Sequence, residues 1–156
     1  MEDHPMMTIS SLIAFACISA FAKATPSRNQ TEHFQNHSTM RRQAYMRLEA
    51  EGEYDKAIPL AQKDCTFLDA QRRSAATQLS LCLSDLARLY QALGNYTKAE
   101  KLYRRSLSIA RRTKAENNEI ATHMNNWAIL LLEQGRLDEA ERMLERSLSL
   151  AKKSPA

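Results

Sequence analysis

One stretch of this chain is written twice, and that repetition restricts the fold more than any other feature. The segment from Leu83 to Arg112 aligns with the segment from Met124 to Lys153 at an offset of 41 residues. Each copy contains two amphipathic helical patterns separated by a glycine. A period between 20 and 50 residues indicates a stacked solenoid, in which each unit buries its apolar face against its neighbours. Identical pairs include Ala87 and Ala128, Gly94 and Gly135, Ala99 and Ala140, and Ser106 and Ser147.

The composition agrees with an all-α fold. The chain of 156 residues has only three glycines and four prolines, and it contains no valine. Leu, Ala, Glu, Arg, Lys and Gln are abundant, which favours helix over sheet. With 44% apolar and 26% charged residues, the chain is typical of a single globular domain rather than a disordered segment.

A less regular copy precedes the other two. Gly52 lies 42 residues before Gly94, and the EYDKA segment after Gly52 corresponds to NYTKA after Gly94. The copy then departs from the pattern, because Tyr45 and Asp64 replace small residues, and Pro59 removes a hydrogen bond from the second helix. Terminal repeats are commonly atypical in this way, since one of their sides has no neighbour.

This pattern resembles the tetratricopeptide repeat family. The NNWA and SDLA stretches before the glycine, together with the spacing of 41 to 42 residues, are most similar to its kinesin-light-chain type. The resemblance covers about Thr39 to Ala151 and implies a right-handed α-solenoid of three helix-turn-helix repeats. The repeats are expected at about 39–74, 75–115 and 116–153, with helices near 39–51, 54–71, 75–93, 96–113, 118–134 and 137–153.

The small residues have a packing role in this pattern. Ala87 and Ala99, like Ala128 and Ala140, are expected where the two helices of a hairpin approach most closely, so a larger side chain would separate them. The repeated glycines suit the left-handed conformation that closes a helix. Trp127 is expected to fill the core between layers rather than to form a platform for a ligand.

In the family that this chain resembles, the first helix of each hairpin lines a concave groove. In the kinesin-light-chain type, asparagines matching Asn125 and Asn126 hydrogen-bond the main chain of an extended peptide. One repeat earlier Asp85 stands in this place, and a carboxylate accepts hydrogen bonds but does not donate them. The alternative is that these polar residues are simply exposed. The expected groove residues are Arg42, Met46, Ser84, Asp85, Arg88, Gln91, Asn125, Asn126 and Ile129.

We therefore expect a non-catalytic adaptor that binds a peptide or a partner protein in this groove. The sequence has no glycine-rich phosphate loop and no Gly-x-Ser-x-Gly motif, and His33 and His37 have no third ligand in view, so we expect no enzyme activity, metal or other cofactor. The net charge of +4 comes as basic doublets without interleaved aromatic residues. This arrangement favours a solvated outer face over a nucleic-acid site.

A second function, of a different class, is assembly of several copies. The residues Ser154, Pro155 and Ala156 stop the last helix before a polar capping helix can form. Three apolar residues of that helix would then lie bare at the end of the stack. The expected assembly residues are Met143, Leu144 and Leu148, and a homo-oligomer is the alternative expectation.

Residues 1–24 have the features of a signal peptide. The apolar run from Ile9 to Phe21 has a suitable length, and residues 22–24 match a small-x-small cleavage site. Residues 1–8 carry two acidic residues and no Lys or Arg, so the alternative is an uncleaved helix, packed on the repeats or held at a membrane. Cleavage implies export to a periplasm or outside the cell, and an uncleaved chain would be cytoplasmic or membrane-attached. Residues 25–38 are polar and are expected to form a flexible lead-in.

Two cysteines face each other across the predicted turn between the first two repeats. Cys65 and Cys82 lie at similar heights on antiparallel helices, so their α-carbons could come within bonding range. In an oxidising compartment a disulfide here would close a short loop and add roughly 3 kcal/mol. Of the two states, we expect two reduced, buried thiols rather than the disulfide.

Overall fold

The computed structural model describes residues 28–153, and all the regular structure in that range is helical. The chain divides into two units, Met1–Asn36 and His37–Ala156, and the predicted signal segment lies outside the described residues. Consecutive helices pair into three hairpins, as the repeats predict. The helices are α1 (Arg28–Ala50), α2 (Tyr54–Ala70), α3 (Ala76–Ala92), α4 (Tyr96–Arg112), α5 (Asn117–Glu133) and α6 (Leu137–Ala151), with a 3-10 turn at Arg72–Ala75.

The bounds of α2 to α6 fall within two residues of the predicted ones, but α1 begins earlier than predicted. The expectation of a flexible lead-in over 25–38 is wrong from Arg28 onward, where the chain is already helical. The segment lacks apolar periodicity, so the sequence has no amphipathic pattern that predicts a helix there. No glycine or proline occurs between Arg28 and Gly52, so nothing interrupts the backbone ladder over this stretch.

Each hairpin turns at a glycine with a left-handed backbone, as predicted. The φ angle is +76° at Gly52, +71° at Gly94 and +72° at Gly135. After Gly94, the N–H of Asn95 donates to the carbonyl of Tyr90 at 2.8 Å, and the other two turns repeat this bond at 2.8 and 2.9 Å. The bond satisfies a carbonyl at the end of the first helix and fixes where the second begins.

The turn between the second and third repeats reaches the same geometry without glycine. Lys114 has a φ of +54°, and the N–H of Ala115 donates to the carbonyl of Ala110 at 3.0 Å. A side chain in this conformation places its Cβ close to a carbonyl oxygen, which costs about 1 to 2 kcal/mol. The packing of α4 and α5 on either side therefore holds Lys114 in a strained conformation.

The core is shared between neighbouring repeats. Ala87 and Ala99 are fully buried and form a cluster with Tyr103 and with Leu130 of the next repeat. Trp127 packs half-buried against this cluster, in the packing role expected for it. Because each hairpin completes the core of the one before it, burial rather than helix propensity alone stabilises the stack.

Buried serines tie the two helices of each later repeat together. The Oγ of Ser106 donates to a carbonyl of α3 at 2.7 Å, and the Oγ of Ser147 donates to a carbonyl of α5 at 2.9 Å; both bonds span 26 residues. Asp64 stands at this position in the first repeat, where it is almost fully buried and forms an ion pair with Arg41 at 3.0 Å. The arginine compensates for the burial of the carboxylate.

A disulfide joins the first repeat to the second. It links Cys65 of α2 to Cys82 of α3, whose α-carbons are 5.6 Å apart. Both cysteines are buried. The expectation of two reduced thiols is therefore wrong in this structure, because α2 and α3 bring the two cysteines within bonding range.

His123 takes the place of Cys82 at the next joint and is 1% exposed. Its Nδ1 lies 3.1 Å from the Oγ of Ser106, which donates its own proton to a backbone carbonyl. Nδ1 is therefore the protonated nitrogen and donates to Ser106. Burial lowers the pKa of His123, although Glu119, 3.7 Å from Nε2, acts in the opposite direction.

Candidate functional site

The first helices of the three repeats, α1, α3 and α5, touch through equivalent residues. The Nε of Arg42 in α1 donates to Asp85 in α3 at 2.7 Å. One repeat later, the Nδ2 of Asn126 in α5 donates to the Oγ of Ser84 in α3 at 3.3 Å. Ser84 is the counterpart of Arg42, and Asn126 is the counterpart of Asp85. The same contact therefore recurs, and the three helices present one continuous face, called here the first-helix face.

Asp85 is the centre of a charge cluster between the first two repeats. It accepts a hydrogen bond from the Tyr45 hydroxyl at 3.2 Å and lies 3.6 Å from Arg88, besides its bond to Arg42. The hydrogen bond to Asp85 raises the pKa of Arg42, and burial together with the charge of Asp85 raises the pKa of Tyr45. Both groups therefore remain protonated donors at neutral pH.

Arg88 extends this cluster to Glu49 through two parallel hydrogen bonds. Its Nε and Nη2 donate to the two carboxylate oxygens of Glu49 at 2.7 and 2.6 Å. Burial opposes the charge of Arg88, yet Glu49 and Asp85 hold its pKa above the ordinary value. Two arginines and two carboxylates neutralise one another here, so this half of the first-helix face has no net charge with which to attract a charged ligand.

Three of the predicted groove residues are buried between the repeats. Ser84, Asp85 and Gln91 are 4%, 5% and 9% exposed. Gln91 accepts a hydrogen bond from the Tyr103 hydroxyl at 3.0 Å, as Ser84 and Asp85 accept theirs from neighbouring helices. These three residues position the first helices, and a partner does not reach them in this conformation.

The remaining predicted groove residues are accessible, chiefly on α5. Asn125 and Ile129 are exposed, and Asn126 is half-buried. Nearer the first repeat, Met46 is exposed, and the side chains of Arg42 and Arg88 are each 40% exposed. The α5 part of the first-helix face thus combines accessible side-chain amides with an apolar side chain, which suits a main chain and an apolar side chain of a ligand.

Tyr45 is a residue of this face that sequence reasoning missed. The later copies have alanine at this position, so the large side chain of Tyr45 indicates a departure from the repeat pattern. The structure buries its ring completely and uses its length to bring the hydroxyl to Asp85. Its size was the available signal, but its partner lies 40 residues away.

The predicted assembly residues lie on α6 at the end of the stack. Leu148 is exposed, whereas Met143 and Leu144 are half-buried. A groove of about 570 Å³ runs between α5 and α6 at this end, and we call it the end groove. It includes Leu137, which is 63% exposed and is not among the predicted assembly residues. The end groove has an apolar floor and an acidic rim formed by Leu132, Leu137, Leu144, Leu148, Glu141 and Glu145.

A larger cavity, of about 950 Å³, is lined by residues of α2, α3 and α4, including Asp69 and Arg105. These two side chains form an ion pair at 2.7 Å and are each 50% exposed, so the pair contributes little to stability. Residues 28–153 contain no cluster of three or more His, Cys, Asp or Glu side chains that could hold a metal ion. In the same range, no helix has the length and apolar character needed to cross a membrane.

Comparison with known proteins gives a family and a fold. Residues 78–153 match the sequence profile of the tetratricopeptide repeat family. BtubC (BKLC) from P. vanneervenii is structurally similar, with a TM-score of 0.67 and 19% identity over 76% of this chain and 47% of that one. Two structures of a putative kinesin light chain from Podosopora anserina, with nearly identical TPR-like repeats, give TM-scores of 0.67 and 0.64 at 19% identity, over 76% of this chain and 56% of theirs. No curated protein matches the sequence.

The stacked hairpins and the continuous first-helix face define a helical-repeat scaffold of the kind that binds other proteins. Its second and third repeats match the tetratricopeptide repeat family over residues 78–153, and the predicted resemblance and the all-α solenoid class are confirmed. Repeats of this family generally mediate protein–protein interactions. The chain spans about half the length of the solved structures that it matches, 47% and 56%.

Proposed function

We propose that this protein is a non-catalytic adaptor that binds an extended peptide segment of a partner protein along its first-helix face. The observation that carries the proposal is the repeated contact of Arg42 with Asp85 and of Ser84 with Asn126. It aligns three first helices in one register and leaves an accessible amide and apolar surface on α5. A face of this kind can bind a main chain through side-chain amides and a ligand side chain through apolar contact.

The charge cluster supports a particular class of ligand. Because Arg42 and Arg88 are already paired with Asp85 and Glu49, a strongly acidic or basic peptide gains little long-range attraction here. Ile129, 43% exposed, offers apolar contact instead. The proposed ligand is therefore a peptide of low net charge with an apolar residue over Ile129 and with main-chain groups at Asn126.

We also propose that the chain is exported. The support is the apolar segment from Ile9 to Phe21, with its small-x-small site, together with the Cys65–Cys82 disulfide, since such bonds persist in oxidising compartments. N-terminal sequencing of the protein isolated from its natural host tests this proposal. A new N-terminus near Thr25 is expected, and an intact apolar segment would contradict cleavage.

Selection of peptides from a displayed random library on the full chain, followed by calorimetric titration, tests the binding function. We expect peptides with a shared apolar position and dissociation constants of roughly micromolar order, because the available surface is small. Ile129→Ala and Asn126→Ala should each weaken binding about tenfold. Asn118→Ala is the matched control, because Asn118 is exposed on the first turn of the same helix.

Two results would refute the peptide-binding proposal. One is a library that yields no specific peptide. The other is a peptide whose affinity is unchanged by both Ile129→Ala and Asn126→Ala. Circular dichroism melting of each variant ensures that a loss of binding does not reflect a loss of fold, which matters for Asn126 because of its bond to Ser84.

A further inference from the structure

The end groove is built from positions that are covered one repeat earlier. Leu148 is 56% exposed, but its counterpart Leu107 is 4% exposed. Likewise Ala151 is exposed, but its counterpart Ala110 is fully buried. In the second repeat these positions are covered by α5, which packs against α4. The end groove therefore has the form that receives the first helix of a following repeat.

Asn125 marks the register in which such a helix would lie. At the first joint Arg42 contacts Asp85, and at the second Ser84 contacts Asn126. Asn125 is the third member of the series that begins with Arg42 and Ser84, and it lines the end groove. Within the part of the chain that the structure describes, its side chain has no hydrogen-bond partner.

The complementary positions lie on α1, at the opposite end of the stack. Gln43 is the counterpart of Asp85 and Asn126, and it is exposed. Met40 is the counterpart of Cys82. It is 71% exposed, whereas Cys82 in its joint is 2% exposed. Helix α1 thus carries an amide for Asn125 and an apolar residue at a position that is buried in the later repeats.

A further pair fits the same register. Arg88 of α3 meets Glu49 of α1 at the first joint. If α1 of a second copy lies in the end groove in this register, Met46 of that α1 takes the place of Arg88, and Leu132 of α5 takes the place of Glu49. Both are exposed apolar residues, at 36% and 45%, so the contact would bury apolar surface on both sides.

The charges at the two ends are also complementary in this register. Leu130 of α5 belongs to the same buried cluster as Ala99 of α4, the residue before Glu100. Arg47 is the counterpart of Leu130, which is fully buried, and Glu141 is the counterpart of Glu100. The register therefore brings Arg47 into the joint beside Glu141, whose charge would compensate for the burial of the guanidinium. The side chain of Arg47 is 82% exposed and forms an ion pair with Glu51 at 3.1 Å. Such an exposed pair contributes little to stability, so Arg47 can exchange Glu51 for Glu141.

We propose that a second copy of this chain stacks head-to-tail on the first, with its α1 in the end groove between α5 and α6. The contact is heterologous, because it uses different surfaces on the two copies, so it leaves a free end and extends into an open row or a ring. A twofold contact between two end grooves would instead bring Glu141 and Glu145 of both copies together, which like-charge repulsion opposes. The stacking does not depend on the proposed peptide binding, which is assigned to Asn126 and Ile129.

Sedimentation velocity of the full chain over a concentration series tests the stacking. We expect the weight-average mass to rise with concentration, with a dissociation constant of roughly micromolar order. Leu148→Glu, at the end groove, and Met40→Glu, on α1, should each weaken self-association about tenfold or more. Lys101→Glu, on an exposed position of α4, is the charge control and should associate like the unaltered chain.

A mixture of the two weakened variants separates head-to-tail stacking from other contacts. The Leu148→Glu chain keeps an intact α1, and the Met40→Glu chain keeps an intact end groove. Equal amounts of the two should therefore form a pair that does not grow beyond two copies. Arg47→Glu should weaken stacking, and adding Glu141→Arg should restore it.

Three outcomes would overturn the stacking proposal. The full chain could stay monomeric throughout the series. Met40→Glu alone could still dimerise while Leu148→Glu does not, which would demonstrate a twofold contact between end grooves. Finally, association could be unchanged in every variant, which would place the contact on another part of the chain.

Discussion

Reduction of the Cys65–Cys82 disulfide removes the covalent link between the first two repeats, and we predict a stability loss of about 3 kcal/mol. The bond closes a loop of 17 residues. The chain-entropy relation for a loop of this length gives roughly 10 cal/mol/K, or about 3 kcal/mol at 25 °C. The α-carbon separation of 5.6 Å lies within the ordinary range for disulfides, so we subtract nothing for backbone distortion.

Urea unfolding followed by circular dichroism, with and without reductant, measures this loss. With an m-value of about 1.5 kcal/mol/M, the midpoint should fall by about 2 M on reduction. The Cys65→Ala, Cys82→Ala double variant is the control, because its midpoint should not respond to reductant. Hydrogen exchange should also locate the effect, with protection lost first in α2 and α3, since each repeat contacts only its neighbours.

Equal midpoints for the oxidised and reduced chains would refute this reasoning, provided that thiol titration finds no free cysteine in the oxidised sample at positions 65 and 82. Such a result would mean that the unfolded chain is already compact around this turn. The disulfide would then remove little conformational entropy from the unfolded chain.

Four other perturbations have a predictable sign. Gly94→Ala should destabilise the chain by about 1 to 2 kcal/mol in thermal unfolding, because its φ of +71° is unfavourable for alanine even though nothing lies within 4 Å of an added Cβ. Lys114 also has a positive φ, so Lys114→Gly should stabilise the chain instead. Ala128→Leu should cost about 1 to 3 kcal/mol, since the site is fully buried, and a variant as stable as the original would contradict close packing of α5. Burial lowers the pKa of His123, so the unfolded chain binds a proton before the folded one does. The free energy of unfolding should therefore fall as pH drops below about 6.5, and urea titrations of His123→Asn should show a weaker pH dependence.

The helical hairpins could be predicted because their determinants are local and repeated. Gly94 and Gly135 occupy the same place in two copies, and a glycine that closes a helix leaves a signal at one position. Helix α1 begins at Arg28, earlier than the sequence predicts, because its first turns lack apolar periodicity. Its extent follows from the absence of a helix breaker, which is a weaker signal than a pattern.

The candidate site was predicted only in outline. The family resemblance placed Asn126 and Ile129 on the accessible face, where the structure also has them. The same reasoning placed Asp85 in the groove, but Tyr45 and Arg42 bury it from the neighbouring repeat. Which polar residues pair depends on side-chain reach between helices about 40 residues apart, and periodicity contains no information about that distance.

By itself, the sequence determined the class of fold, the three hairpins and the positions of their turns. Repetition at a near-constant interval makes each of these a local property, written two or three times. Only the tertiary structure decided which groove residues remain free, that Cys65 and Cys82 are bonded, and that the end groove is the uncovered copy of an internal joint. Those features depend on how one repeat packs against the next, and contacts between repeats form only when the helices stack.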